Sequence, residues 1–193
     1  MSARKLIEQH FQASADSILA NAHLASQIEQ TAETIYHCFE NGGKLLICGN
    51  GGSAADAQHL SSELLNRYKR ERRELPGIAL TTDGSTLTSI GNDYRFDQVF
   101  AKQVSALAQP GDLLMVITTS GNSGNLIAAV QRAHDKSVSC IALNGKGGGE
   151  LNQHLGDDDI NIIVSGDVTA RIQEVHGLII HALCEVIDAL ILD

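Results

Sequence analysis

The sequence predicts an α/β fold of three layers: a five-stranded parallel sheet flanked by helices, with a helical arm at the N-terminus. Five short apolar runs carry no polar alternation, which is typical of strands buried on both faces. Helical patterns separate these runs, and parallel strands need such crossovers. The 193 residues suit one domain. We therefore expect a single domain, with N-terminal helices over residues 1–41 and an α/β core over residues 42–193.

The N-terminal arm is predicted from residues 3–41, which contain neither Gly nor Pro. Apolar side chains recur there at helical spacing, as at Ile28, Ala32 and Ile35. The Asn-Gly-Gly at residues 41–43 is a helix stop, because glycine commonly follows the last helical turn. The arm is therefore expected to contain two nearly continuous helices.

The core begins with a predicted strand over residues 44–48 and a helix over residues 54–68. A charged stretch over residues 67–74 is interpreted as a solvated helix end and loop. The remaining strands are predicted at residues 77–80, 113–117, 138–143 and 160–164. The remaining helices are predicted at residues 82–90, 125–133 and 169–192, with a glycine-rich loop at residues 145–149.

The charge balance excludes some partners. Lys and Arg total 14 against 23 Asp and Glu, which gives a formal net charge of −9. This charge argues against a protein whose main task is to hold nucleic acid or an anionic membrane. It does not exclude a small phosphorylated ligand, because local geometry overrides net charge.

The cysteines and the hydropathy pattern indicate a cytoplasmic protein. The four cysteines show no CxxC pairing, so buried thiols in a reducing compartment are the simplest interpretation. The start, MSARKLIEQHF, lacks the apolar core of a signal peptide. The least charged stretch, residues 113–131, is rich in Thr, Ser, Asn and Gly and would not span a bilayer. We expect no membrane or nucleic-acid partner.

Two segments, CGNGGSAADAQH at residues 48–59 and TTSGNSGN at residues 118–125, each leave a predicted strand and open a helix. Ligands bind at the carboxyl ends of parallel strands, and helix N-termini favour anions. Thr119, Ser120 and Ser123 can hold phosphate oxygens without Lys or Arg. Neither segment matches the dinucleotide or P-loop motif, so the pair favours a small phosphorylated metabolite. Either loop alone is equally well explained as an ordinary connection.

Acid and base candidates lie on two predicted helices. His59 and Glu63 share a helix face, and the spacing fits an ion pair, half of a metal site or a catalytic pair. The last helix carries Gln173 and His181, which are separated by about 12 Å of helical rise. Glu174 and His176 also stand among the apolar residues of this helix, and its histidines, His176 and His181, are most simply core or interface residues. Turn chemistry explains Asn92 and Asp93, which would also suit sugar hydroxyls.

Four motifs in order, CGNGGSAADAQHLSSELLNRY, SIGNDY, TTSGNSGN and TARIQEVHGLIIH, resemble the sugar isomerase (SIS) family over nearly the whole chain. The resemblance implies a cytoplasmic homotetramer with aldose–ketose isomerase activity. It implies conversion of sedoheptulose 7-phosphate to D-glycero-D-manno-heptose 7-phosphate through an enediol. That reaction is the first step toward ADP-heptose and the lipopolysaccharide core.

The resemblance also implies roles for individual residues. Glu63 and His181 match the catalytic acid/base pair. The implied substrate-binding residues are Asn50, Gly51, Gly52, Ser53, Glu63, Asn92, Asp93, Thr118, Thr119, Ser120, Ser123 and Gln173. The implied zinc ligands, for one ion per subunit, are His59, Glu63, Gln173 and His181.

Two departures from the family pattern are visible. Thr118 stands where Ser is expected and crowds the loop, while Thr169-Ala170 stands where some members carry Asp. A zinc ion would polarise the carbonyl or hold the site together, but a ligating Glu63 is a poorer base. Which of Glu63 and His181 acts at which carbon stays open.

Two alternatives follow from the same family. One is a non-catalytic SIS protein that binds the bacterial replication initiator. The other is a SIS regulator that senses a different sugar phosphate. The isomerase is favoured over the initiator-binding protein because Glu63 and His181 are both present.

Overall fold

Five parallel strands form the centre of the computed structural model, which describes residues 1–192. The strands are β1 (Leu45–Gly49), β2 (Gly77–Ala79), β3 (Leu113–Ile117), β4 (Ser139–Gly145) and β5 (Ile160–Val164). Their order is β2-β1-β3-β4-β5, and every neighbouring pair is parallel. The chain reverses its direction of travel across the sheet between β1 and β3. A ligand crevice is expected at that point, outside the carboxyl ends of these two strands.

Helices cover both faces of the sheet, which confirms the predicted three-layer α/β class. The helices are α1 (Ala3–Ala20), α2 (Ala25–Glu40), α3 (Gly52–Leu65), α4 (Gly84–Asp93), α5 (Ala101–Leu107), α6 (Gly124–His134) and α7 (Thr169–Leu192). One core cluster joins one face of the sheet to α2, α3 and α7. The other joins the opposite face to α5 and α6.

The strands are apolar throughout because both of their faces are buried. Along β1, Leu45 and Ile47 belong to the first cluster, whereas Leu46 and Cys48 belong to the second. No residue of β1 or β3 is left for solvent. This explains why the sequence shows continuous apolar runs rather than alternation.

Helix α1, the first helix of the N-terminal arm, packs on the rest of the molecule through α7. None of the side chains of α1 is buried. Arg171, at the start of α7, donates to the main-chain oxygen of His10 at 2.7 Å and pairs with Glu174. The arm therefore leaves apolar side chains exposed, among them Ile7 and Phe11.

Several element predictions differ from the structure, since α3 ends at Leu65 rather than at residue 68 and β4 extends to Gly145. Helix α4 extends to Asp93, so Asn92 and Asp93 lie in its last turn rather than in a turn that follows it. Helix α5 was not predicted, because its seven residues are too few to show a clear period.

The charged stretch at residues 67–74 is not wholly solvated, as the sequence suggested. The Arg72 side chain is 1% exposed and pairs with Asp188 at 2.8 Å. It also donates to the main-chain oxygens of Glu63 at 2.7 Å and Leu64 at 2.9 Å. Arg72 is buried because the last carbonyl groups of α3 need hydrogen-bond donors, and its guanidinium supplies them.

The four cysteines are buried and unpaired, as expected. Burial raises the pKa of the Cys38 thiol to about 11 and that of Cys184 to about 12. These two thiols are therefore protonated at neutral pH.

Helix α7 is the one described helix that is long and apolar enough to cross a membrane by length and composition. It is a different stretch from residues 113–131, the least charged part of the sequence. In the structure, Val175, Ile179 and Leu183 on α7 are buried in the first core cluster. This packing accounts for the apolar character of α7 as that of a core helix.

Candidate active site

The loops after β1 and β3 meet around a cavity of about 320 Å³. We call residues 50–53 the β1 loop and residues 118–123 the β3 loop. The cavity is lined by Asn50, Gly51, Gly52, Ser53, Ile117, Thr118, Thr119, Ser120, Ser123, Thr169 and Gln173. The structure therefore brings together both predicted loops and the first turns of α7, at the point where the strand order reverses.

Two glycines shape the β1 loop. Gly51 has a φ of +57°, which side chains rarely adopt, and it directly precedes α3. At Gly52, a Cβ atom would lie 2.5 Å from Nε2 of Gln173. The missing side chain at Gly52 thus lets Gln173 of α7 approach the N-terminus of α3.

An amide pair fixes the spacing between the two loops. Asn50 and Asn125 exchange hydrogen bonds in both directions at 2.8 Å, and Asn125 is buried in the first turn of α6. From the sequence, Asn125 is predicted only as the start of a helix. Nothing in its local sequence signals the partner, which is 75 residues away.

The β3 loop presents hydroxyl groups and an uncapped helix end to the cavity. The buried Thr118 accepts hydrogen bonds through Oγ1 from the N–H groups of Ser120 and Gly121, at 3.4 and 3.2 Å. Ser123 directly precedes α6, yet its side chain makes no capping hydrogen bond. Among the described residues, no Lys or Arg lines the cavity. Such a site attracts an anion through neutral donors and the helix dipole.

A second group of predicted residues, His59, Glu63 and His181, meets where α3 packs against α7. Nε2 of His59 lies 3.1 Å from Oε1 of Glu63 and 3.4 Å from Nε2 of His181. Each imidazole nitrogen carries at most one hydrogen, so Nε2 of His59 cannot donate a full hydrogen bond to both neighbours. The three ligand-type atoms all lie within 4.8 Å of one another. We call these residues the triad.

The donor set of the triad fits a zinc ion. Two imidazole nitrogens and one carboxylate oxygen are common zinc ligands, and they leave a fourth position open. Tetrahedral zinc, with bonds of about 2.0–2.1 Å, separates neighbouring ligand atoms by about 3.3–3.4 Å. The separations of 3.1 and 3.4 Å in the triad are close to this value.

Gln173, the fourth residue of the implied zinc set, is placed with the cavity beside Gly52. His181 lies about 12 Å further along α7, because a helix rises about 1.5 Å per residue. His59 lies about 10 Å further along α3 than Gly52 for the same reason. The triad therefore lies roughly 10–12 Å beyond the cavity along both helices.

Two neighbours of the triad were missed from the sequence. The ring of Tyr68 stacks on His181 with a centroid distance of 5.7 Å. Burial raises the pKa of Asp56, one turn before His59, while the charge of His59 acts in the opposite direction. Oδ2 of Asp56 is buried without a hydrogen-bond partner among the described residues. From the sequence, both residues are predicted only as parts of a helix.

Asn92 and Asp93 are not part of this arrangement. Both are exposed at the end of α4, and Nδ2 of Asn92 donates to Oδ1 of Asp93 at 2.9 Å. Neither residue lines the cavity. The structure does not bring these two predicted residues to the cavity of their own protomer.

Comparison with known proteins gives the family. A family model described as the SIS domain matches residues 10–145. The chain belongs to the SIS-domain family. Among its SIS relatives, a phosphoheptose isomerase of Thiobacillus denitrificans is 58% identical over 184 residues, which cover 95% of this chain and 93% of the relative. A phosphoheptose isomerase of Dechloromonas aromatica is 53% identical over 187 residues, 96% of this chain and 95% of that protein.

Solved structures of SIS proteins also include phosphoheptose isomerases that resemble this chain. A phosphoheptose isomerase from Francisella tularensis has a TM-score of 0.95 and 47% identity, and the match covers 98% of this chain and all of that chain. One from Neisseria gonorrhoeae has a TM-score of 0.93 and 46% identity, over 97% of this chain and all of that chain. This SIS chain therefore groups with the phosphoheptose isomerases. The predicted family, fold and isomerase class are confirmed.

Proposed function

We propose that this chain interconverts sedoheptulose 7-phosphate and D-glycero-D-manno-heptose 7-phosphate. The observation that supports this proposal most directly is that a cavity suited to an anion and a His-Glu-His triad lie along the same two helices, α3 and α7. The relatives that are named phosphoheptose isomerases support the same substrate class. None of the comparisons supports the initiator-binding alternative.

The cavity is assigned to the phosphate group. Ser123, Thr119 and Ser120 supply hydroxyl donors, and the N-termini of α3 and α6 supply main-chain N–H groups. Gln173 and Asn50 are assigned to the sugar hydroxyls beside it. With the phosphate group and the neighbouring hydroxyls assigned in this way, the reacting carbons of the substrate lie toward the triad.

The triad is assigned to proton transfer. Aldose–ketose isomerisation removes a proton from one carbon, forms an enediol, and returns a proton to the neighbouring carbon. Glu63 is assigned to the carbon-bound proton and His181 to the oxygen atoms. The Glu63 side chain is 21% exposed, so a bound substrate can reach it. No proton is gained or lost overall, which suits one residue that both takes and returns it.

We propose a zinc ion as cofactor, one per subunit, held by His59, Glu63 and His181. Gln173, the fourth residue of the implied set, lies with the cavity instead. When bound, zinc supplies Lewis-acid polarisation of the carbonyl oxygen. Metal analysis of the purified protein tests this assignment. We expect one zinc per subunit in the wild type and a lower content in His59→Gln, whereas a metal-free active enzyme would contradict it.

We also propose a homotetramer in the cytoplasm that supplies ADP-heptose precursors of the lipopolysaccharide core. Exposed apolar side chains support assembly, including Phe11 and Leu19 on α1 and Leu178 on α7. Leu19 and Leu178 line an apolar groove between α1, α2 and α7. The buried, unpaired thiols suit a reducing compartment.

The direct test is incubation of the purified protein with sedoheptulose 7-phosphate, with the aldose product followed by NMR. The wild type is expected to form product. Glu63→Gln and His181→Gln are each expected to lose at least about 10²-fold in kcat, the usual scale of acid–base catalysis. Glu71→Gln, an exposed change in the loop after α3, is the control. A near-wild-type rate in either triad variant would overturn the assignment, and no product from the folded wild type would overturn the function.

A further inference from the structure

The glycine-rich β4 loop, residues 145–149, is a closely packed segment that has no part in the proposed chemistry. Its φ angles are +48° at Lys146, +75° at Gly147, +91° at Gly148 and +58° at Gly149. Positive values in succession are uncommon, and such a run persists only where the surrounding structure holds it. The neighbour that holds it is the β3 loop.

Missing side chains let the two loops meet backbone to backbone. A Cβ atom at Gly145 would lie 2.8 Å from the carbonyl oxygen of Thr119. A Cβ atom at Gly149 would overlap the carbonyl oxygen of Ser120. Neither neighbour is the end of a flexible side chain, so neither contact is relieved by a rotamer change.

The next residue of the β3 loop is held in the same way. The carbonyl oxygen of Gly121 accepts a hydrogen bond from the N–H of Leu151 at 2.8 Å, and a Cβ atom on Gly121 would overlap the oxygen of Gly148. Oδ1 of Asn122 accepts from the N–H of Glu150 at 2.9 Å. The contact therefore runs along the whole turn of the β3 loop.

These contacts set the direction of three peptide groups. The carbonyl oxygens of Thr119, Ser120 and Gly121 all face the β4 loop. The N–H groups that follow are held within the β3 loop: those of Ser120 and Gly121 donate to Oγ1 of Thr118, and that of Asn122 donates to Oγ of Ser120 at 3.3 Å. A carbonyl oxygen turned into the cavity would repel a phosphate, whereas N–H groups attract it. The β4 loop thus keeps the repulsive ends of these peptides out of the cavity.

The β4 loop is itself tied to α7. Asn144 donates through Nδ2 to the oxygen of Gly148 at 3.0 Å and accepts through Oδ1 from the N–H of Gly145 at 2.9 Å. The oxygen of Asn144 lies 3.0 Å from Nε2 of the fully buried His176. A carbonyl only accepts, so His176 carries its proton on Nε2 and donates it.

We propose that the β4 loop and His176 are positioning groups for phosphate binding: they hold the carbonyl oxygens of the β3 loop away from the ligand. This inference rests on the proposed function in one respect, the assignment of the β3 loop to the substrate phosphate. It assigns to the β4 loop and to His176 a role that needs no contact with the substrate.

The sharpest test compares Gly149→Ala with Gly147→Ala. Both positions have positive φ, but Gly147 lies in the left-handed helical region (φ +75°, ψ +7°) and Gly149 in a region confined to glycine (φ +58°, ψ −155°), so urea denaturation of both variants accompanies the binding measurements. A methyl group at 149 strikes the β3 loop, whereas one at 147 meets nothing within 4 Å. Binding of inorganic phosphate is measured by calorimetry, and KM and kcat are measured with sedoheptulose 7-phosphate. We expect Gly149→Ala to weaken phosphate binding and raise KM by at least roughly tenfold with a smaller change in kcat, and Gly147→Ala to leave both near wild type.

A second pair of variants tests His176. His176→Met removes the donor to Asn144 and is expected to weaken phosphate binding roughly two- to tenfold, while His176→Gln, which keeps a donor, is expected to restore part of it. Equal phosphate affinity in Gly149→Ala and Gly147→Ala would overturn the inference, as would a wild type that binds no phosphate. If phosphate affinity follows the expected order but no heptose phosphate is turned over, the inference stands and the proposed function fails.

Discussion

At the scale of single residues, the pair of Arg72 and Asp188 stands out, because it is a buried ion pair next to the triad. Their side chains are 1% and 4% exposed. Arg72 also satisfies the main-chain oxygens of Glu63 and Leu64 at the end of α3. One guanidinium thus joins the helix that carries Glu63 to the helix that carries His181.

Removing one partner of this pair should be costly. Asp188→Asn leaves a buried guanidinium without its counter-charge, and we expect a loss of about 3–5 kcal/mol in the free energy of unfolding. Urea denaturation at fixed protein concentration measures it. The control is Glu40→Gln, which breaks the half-exposed pair with Arg73 and should cost less than about 1 kcal/mol. Equal losses in the two variants would contradict the proposed importance of burial.

The same pair shows what sequence reasoning misses at this scale. Arg72 lies in a charged stretch whose composition suggests solvent, and its partner is 116 residues away. His59 and Glu63 were found because helical spacing is local, while Tyr68 was not, since its stacking on His181 depends on tertiary packing. Local patterns predict which residues share an element. They do not predict which polar groups the fold buries together.

At the scale of elements, the sequence predicts the strands and the long helices well. Apolar runs identify all five strands, because strands buried on both faces have no polar positions. Helix α7 occupies residues Thr169–Leu192, as predicted. The short α5 has no such signature. The meeting of the loops after β1 and β3 follows from the parallel topology, but the crossing of α3 and α7 at the triad does not.

The start of α6 gives a prediction that separates binding from helix stability. Ser123 precedes α6 without capping it, whereas Asp83 caps α4 by accepting from the N–H of Thr86 at 3.0 Å. We expect Ser123→Ala to raise KM for the sugar phosphate about fivefold, the scale of one hydrogen bond, with little change in melting temperature. Asp83→Ala should do the reverse, lowering the melting temperature and leaving KM unchanged. A lower melting temperature and an unchanged KM in Ser123→Ala would show that Ser123 is a structural cap.

At the scale of the whole molecule, the exposed apolar surface gives a prediction about assembly. Leu178 is 47% exposed and lines the apolar groove beside the N-terminal arm. Leu178→Asp should dissociate the proposed tetramer, as read by light scattering, because burying a carboxylate in an apolar contact is unfavourable. Leu107→Asp, at the exposed end of α5 on the opposite layer, is the control. Full activity in a dissociated variant would argue that each site is complete within one subunit.

The net charge of −9 is also a property of the whole molecule. It suggests poor affinity for anions, yet the described cavity has no Lys or Arg and depends on hydroxyl groups and helix N-termini. Charge far from the site adds little there, because salt screens it over about 8–10 Å. Overall charge therefore excludes a nucleic-acid surface more firmly than it excludes a phosphorylated metabolite.

The buried His176 predicts how the stability of the molecule changes with pH. Burial lowers its pKa from 6.5 to about 4, and the hydrogen bond to Asn144 offsets only part of this. Between these two values the unfolded chain binds a proton that the folded chain does not, so the free energy of unfolding falls as pH falls from 6.5 to 4. The loss from this residue reaches about 3 kcal/mol per subunit at the lower limit. His176→Gln has no such titration and should show a flatter pH dependence than the wild type in urea denaturation. Identical slopes in wild type and His176→Gln would mean that His176 binds a proton equally well in the folded and unfolded chains.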